Sequence, residues 1–170
     1  MEICLDRHRS IAGPHGRATT TDTWLTPKFI LDALGEFDMD PCAAPEPRPW
    51  PTATTMVTLP DNGLACEWKG RVWMNPPYGT KTHLWLARLA AHGSGTALIF
   101  ARTETDMFFE HVWQKATALL FLRGRLTFCY PAGNRAPHNS GGPSVLCAYG
   151  EHDATLLIQS KLDGFYVPIR

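Results

Sequence analysis

Val72-Trp73-Met74-Asn75-Pro76-Pro77-Tyr78 decides the fold: an apolar run of strand length ends in a rigid polar tetrapeptide, and a helical pattern follows over residues 81–92. A buried strand that delivers polar groups at its C-terminal end and then crosses over through a helix is the unit of open α/β sheets, which bind ligands at that end. Proline fixes φ and has no N–H, so two in succession make a stiff corner that holds neighbouring acceptors in place. The side-chain carbonyl of Asn75 and the main-chain carbonyl of Pro76 can both accept hydrogen bonds from one NH2 group. That arrangement suits methyl transfer to an exocyclic amino nitrogen, a poor nucleophile until its delocalised lone pair is restored. Tyr78 offers a flat face to a base taken out of its helix, an excursion that costs about a few kcal/mol. A diproline turn that merely ends a strand has the same sequence, so the rest of the chain must decide.

Working outward, Ala97-Leu98-Ile99-Phe100 lies in a nearly continuous apolar run over residues 96–101, as expected for a strand covered on both faces. A helix is expected over about 105–115, a third buried strand over 116–122, a further pairing segment over 125–130 and a fourth strand over 144–149. Strand, helix, strand, helix, strand implies right-handed crossovers and a largely parallel sheet. Upstream, Thr26 reads as the cap and Pro27 as the first position of a helix carrying Phe29, Ile30, Leu31 and Leu34 and stopped by Gly35. Phe37-Asp38-Met39-Asp40 alternates apolar and polar like a short strand, and Pro41-Cys42-Ala43-Ala44-Pro45 turns it out into a loop. Residues 45–60 hold five prolines and read as loop with at most a short strand near 54–59. Asp61-Asn62-Gly63-Leu64 reads as a turn opening a short helix through Trp68. Residues 131–143, rich in Gly, Pro and Asn, make a long surface loop, and 154–169 could add an edge strand or a short helix.

The 170 residues fit a single domain, taken as 21–170, preceded by a mobile polar arm over 1–20. No stretch approaches the roughly 20 apolar residues that span a membrane, and no signal-peptide core is visible at the N-terminus, so a soluble intracellular chain is expected. The five cysteines are odd in number and scattered without a C-x-x-C pair, which argues against a disulfide framework and against a zinc site. The formal net charge of zero is mild evidence against a polyanion-binding protein, but residues 61–135 carry nine Lys/Arg against five acids, an excess of +4. A phosphate-contacting face near the diproline corner and a scattered solvated surface are both compatible with that count.

The ordered series Trp24-Leu25-Thr26-Pro27, Asp40-Pro41-Cys42-Ala43, Asp61-x-Gly63-Leu64, Trp73-x-Asn75-Pro76-Pro77-Tyr78, Arg102-Thr103-x-Thr105-Asp106 and Gly124-Arg125-Leu126-x-Phe128 resembles the phage-type, Dam-like DNA N6-adenine methyltransferase family from about residue 24 to 150. The resemblance implies a compact class I, Rossmann-like α/β sheet with helices on both faces. One or two of the usual strands would be absent or rudimentary, since little chain separates the first strand from the catalytic one. It implies S-adenosylmethionine as cofactor, adenine in double-stranded DNA as substrate, and the cytoplasm of a bacterial or phage-infected cell as location, with a monomer and no metal or membrane. Asn75, Pro76, Pro77 and Tyr78 would form the catalytic motif. Thr26, Pro27, Asp40, Pro41, Cys42 and Ala43 would border the cofactor, with Trp24 covering it and Asp61 reaching its adenine or ribose. Arg102 at the end of its strand, with Lys81, Arg123 and Arg125, would contact phosphates; ion pairing with Glu104, Asp106 or Glu110 is the competing reading of the arginines. No G-x-G follows the first strand, so Cys42-Ala43-Ala44 would have to provide the close backbone approach with small side chains. An RNA or protein-glutamine acceptor, and a cofactor-free DNA-binding module on the same fold, stay open as alternatives.

Overall fold

The computed structural model describes residues 23–170, and the arm expected over 1–20 lies outside them. Seven strands form one sheet in the order β2-β1-β3-β4-β6-β5-β7. They are β1 (Met39–Asp40), β2 (Thr55–Met56), β3 (Val72–Met74), β4 (Gly95–Phe100), β5 (Ala118–Leu122), β6 (Ser144–Tyr149) and β7 (Gly164–Pro168). The run β2-β1-β3-β4 is parallel, whereas β6 lies antiparallel to both β4 and β5, and β7 antiparallel to β5. The sheet is therefore mixed rather than largely parallel. Along the chain the direction reverses once, in the long loop between β5 and β6; β7 then runs the same way as β6, reached through a helix and placed on the other side of β5.

Helices α1 (Lys28–Leu34), α2 (Thr82–His92), α3 (Asp106–Phe108) and α4 (Glu151–Gln159) cover the sheet. Val72, Met74, Ala97, Ile99, Leu119 and Cys147 face α2 and α3, while the alternating Trp73, Leu98, Ala118, Leu120, Leu146 and Ala148 face α1 and α4. A strand buried on both faces has no polar side to show, which is why the central strands read as continuous apolar runs. α2 stops at Gly93, whose φ of 76° lets its N–H close back on the Leu89 carbonyl.

Four local expectations are corrected. Thr26 does not cap α1 with its side chain; Pro27 occupies the N-cap position. Residues 61–68 form turns, because the Trp68 indole donates to the Gly63 carbonyl at 2.7 Å and the Arg88 guanidinium takes the Leu64 and Cys66 carbonyls, leaving no helical partners for them. Over 105–115 three α-helical residues give way to a π-helical turn, Phe109–Trp113. Residues 125–130 join no strand of the sheet; Cys129 instead bridges Leu25 and Arg135. The C-terminal segment supplies both a helix and an edge strand.

Candidate active site

β1, β3, β4 and β5 run in one direction, so Asp40, Asn75, Ala101 and Arg123 leave the sheet at the same end. The first two of these converge. At the β1 terminus Asp40 is buried, accepting the Thr52 hydroxyl at 2.5 Å and the Cys42 N–H at 3.0 Å. Desolvation outweighs these donors and pushes the carboxyl up to about 6. The Cys42 thiol, raised by its own burial and by the adjacent Asp40 carboxylate, stays protonated and donates to the Asn75 carbonyl at 3.5 Å. The expected cofactor loop and the diproline corner are thus joined directly.

Two packing contacts hold this junction. Gly63 lies against the Asp40-Pro41-Cys42 loop so closely that a Cβ there would sit 1.7 Å from the Pro41 carbonyl oxygen. That brings the Asp61 loop beside Pro41, with the Asp61 side chain exposed. At the start of α2, the Thr82 hydroxyl lies 2.9 Å from the Pro77 carbonyl and accepts the Gly79 N–H at 3.0 Å, pinning the tetrapeptide to the helix. Pro76 is buried, Asn75 half-buried and Pro77 exposed. Tyr78 leaves 44% of its surface open and packs its ring on Phe100 at 4.6 Å between centroids. Its hydroxyl lies 3.5 Å from Asn75 Oδ1 and 3.4 Å from the Leu98 carbonyl, and desolvation raises it well above the usual phenol range, keeping it neutral.

Thr26 lies against Trp50. Its main-chain carbonyl accepts the Trp50 indole N–H at 3.2 Å, and its buried hydroxyl has no hydrogen-bond partner. Trp24 packs on Tyr130 at 5.4 Å, and Leu25 pairs with Cys129. Sequence reasoning missed Thr52, Trp50, Thr82 and Phe100. The first two lie in a proline-rich stretch without periodicity, and nothing local marks Thr82 or Phe100 as facing the corner.

A family model for DNA N-6-adenine-methyltransferase (Dam) matches residues 14–160. The chain belongs to the Dam family. No curated protein and no solved structure matches it. Dam enzymes act on adenine in DNA, and in this Dam chain the candidate phosphate contacts divide. Lys81 and Arg102 are exposed next to the diproline corner and at the end of β4. Arg123 pairs with Asp163 at 3.1 Å, not with Glu104, Asp106 or Glu110, and Arg125 donates to the Gly141 carbonyl at 2.7 Å. Part of the charge excess over 61–135 never reaches the surface, because Arg71 is buried against Asp153. Among the described residues no helix is long and apolar enough to cross a membrane and no cluster of His, Cys, Asp or Glu could hold a metal ion.

Proposed function

We propose that this chain transfers a methyl group from S-adenosylmethionine to the N6 amino group of adenine in double-stranded DNA, on a class I methyltransferase sheet. The observation that supports the reading is the 3.5 Å contact between the Cys42 thiol and the main-chain carbonyl of Asn75, which ties the buried carboxylate loop to the diproline corner. The residues fit the cofactor. Asp40 has a carboxylate with lone pairs left after its two donors, Thr26 has an orphaned buried hydroxyl, and Ala43 and Ala44 supply the small side chains that the absent G-x-G would have supplied. When bound, S-adenosylmethionine supplies the methyl group on a positively charged sulfur.

The rest is done by the protein. Asn75 and Pro76 draw the amino hydrogens to one side, so that the nitrogen lone pair points out of the base plane. Tyr78 takes the base face, after its ring has turned away from Phe100 and its hydroxyl has left the neighbourhood of Asn75 Oδ1. The corner works by positioning and preorganised acceptors rather than by an acid-base relay, and the proton that the nitrogen sheds once it carries the methyl group passes to solvent. Asn75→Ala should lower tritiated-methyl incorporation into DNA about 10²–10³-fold, the loss typical of one preorganised group, while calorimetric affinity for S-adenosylmethionine stays within a few-fold. Incorporation near the wild-type rate in that variant sinks the assignment. Labelling of RNA or of a glutamine side chain in preference to DNA moves the acceptor, and the absence of saturable heat with S-adenosylmethionine leaves only a binding module.

A further inference from the structure

Beside the first turn of α1, on the outer side of the 122–135 segment, lies a cleft of about 470 Å³. Its floor is apolar, with Ile30 fully buried and Leu126 nearly so, and Phe29 stands at its edge with 56% of its surface open to solvent. Three guanidinium groups, Arg123, Arg125 and Arg135, line it together with a single carboxylate, Asp163, which Arg123 engages. Arg125 donates to the Gly141 carbonyl and Arg135 to the Thr127 hydroxyl at 3.2 Å, each through one nitrogen. A guanidinium carries five N–H donors in a planar fork that matches phosphate oxygens, so both arginines keep donors for a ligand.

An apolar floor with an exposed aromatic edge, under a rim whose cations outnumber its acids, complements a ligand that is flat and apolar on one part and anionic on another. A free phosphate would leave the floor uncovered, and a peptide rich in acids would find no use for Phe29. A nucleotide satisfies both parts. The cleft also opens at the sheet end from which Asn75 emerges, since it begins where β5 ends and β5 runs parallel to β3. β5 stands three strand positions from β3, about 14 Å across the sheet, a distance that a few nucleotides of one strand span.

We infer that this cleft seats a nucleotide of the DNA flanking the target adenine, with Arg125 and Arg135 on consecutive phosphates and Phe29 against a base or sugar; the inference rests on the DNA reading above and adds a second contact region to it. Lys81 and Arg102, beside the diproline corner, then hold the backbone at the target itself. Asp163 acts as a brake on the cleft, because it occupies Arg123.

The test is anisotropy of a fluorescein-labelled DNA duplex titrated with the full chain over a series of salt concentrations. The double variant Arg125→Ala/Arg135→Ala should weaken binding at least about tenfold and lower the slope of log K against log[salt] by about 2, one for each phosphate that is no longer neutralised. Phe29→Ala should weaken binding about fivefold or more with the slope unchanged, as for removal of a stacking surface. Asp163→Ala, which frees Arg123, should strengthen binding and steepen the slope. Circular dichroism identifies any variant that fails to fold, and Arg135→Lys, which keeps the charge, then stands in for the alanine with a smaller loss and an unchanged slope. An unchanged affinity and slope in the double variant overturn the cleft even if the wild type methylates DNA. A groove-dependent slope without any methyl transfer supports the cleft and removes the enzymatic reading instead. Tighter, groove-dependent binding of an RNA duplex of the same sequence overturns the choice of DNA.

Discussion

Asp40 is buried among donors and still has its carboxyl pushed up to about 6, because loss of water outweighs the Thr52 and Cys42 hydrogen bonds. A carboxyl whose folded value is raised contributes stability that is fully present below its unfolded value of 3.8 and lost as the pH rises through about 6. At pH 7.5 the ionised group therefore costs the fold on the order of 3 kcal/mol, which a charged or hydroxyl-bearing ligand would offset. Asp40→Asn is expected to raise the urea midpoint at pH 7.5, with the gain shrinking as the pH is lowered toward 5, and to weaken S-adenosylmethionine binding at least about tenfold. In the unsubstituted protein the calorimetric affinity for the cofactor should fall as the pH drops below about 6; affinity that is flat from pH 5 to 8 removes Asp40 from the cofactor site. Tyr78 is tested by separating its ring from its hydroxyl. Tyr78→Phe keeps the surface for stacking and should methylate DNA within about threefold of wild type, whereas Tyr78→Ala gives up stacking worth about 1–3 kcal/mol per base and should fall by about 5–150-fold in kcat/KM. These two residues were legible as candidates because each stands in a short motif whose chemistry is local. Their partners were not, since Thr52 and Phe100 face them across turns of chain that carry no pattern.

Among the elements, β4, β6 and α2 coincide with their sequence-based limits to within a residue, because each is long enough for its apolar period to outweigh anything beyond it. The segments that departed from expectation are short and take their backbone partners from distant side chains. Residues 61–68 had the composition of a helix start, yet Trp68 and Arg88 claim the carbonyls that a helix would use. The turn that results brings Gly63 onto the Pro41 carbonyl, an approach that only a residue without Cβ allows. Gly63→Ala must therefore push the Asp61 loop away from the Asp40 loop, with a cost of about 1–3 kcal/mol in denaturant unfolding, as for an overpacked core position. Cofactor affinity should fall with it, since the loop that holds Asp40 and Cys42 loses its brace. A variant with wild-type stability and affinity would show that the loop yields freely.

At the scale of the whole molecule, the end of the sheet opposite Asn75 is tied by one buried ion pair. Arg71, entering β3, donates to Asp153 on α4 at 2.8 Å and to the Leu34 and Glu36 carbonyls at the end of α1, while Thr96 of β4 donates to the same Asp153 oxygen. Phe37 lies under the guanidinium at 3.9 Å. Two helices and two strands meet there, so Asp153→Ala strands a buried cation and is expected to cost about 3–5 kcal/mol by urea unfolding. Because the pair lies at the far end from the diproline corner, the folded fraction of that variant should keep its kcat; a selective loss of kcat would mean that the two ends are coupled. By itself the sequence determined the alternation of strands and helices, the two-sided burial of the central strands and the stiff corner at Asn75-Pro76-Pro77-Tyr78, all of which follow from the period and stiffness of neighbouring residues. Only the tertiary structure decided that β6 and β7 run against the other strands, that Cys42 reaches Asn75 and Thr52 reaches Asp40, and that Phe29 and Arg135 share a cleft. Those outcomes depend on which distant groups can satisfy a buried donor, carboxylate or carbonyl, and such pairings leave no trace in the order of adjacent side chains.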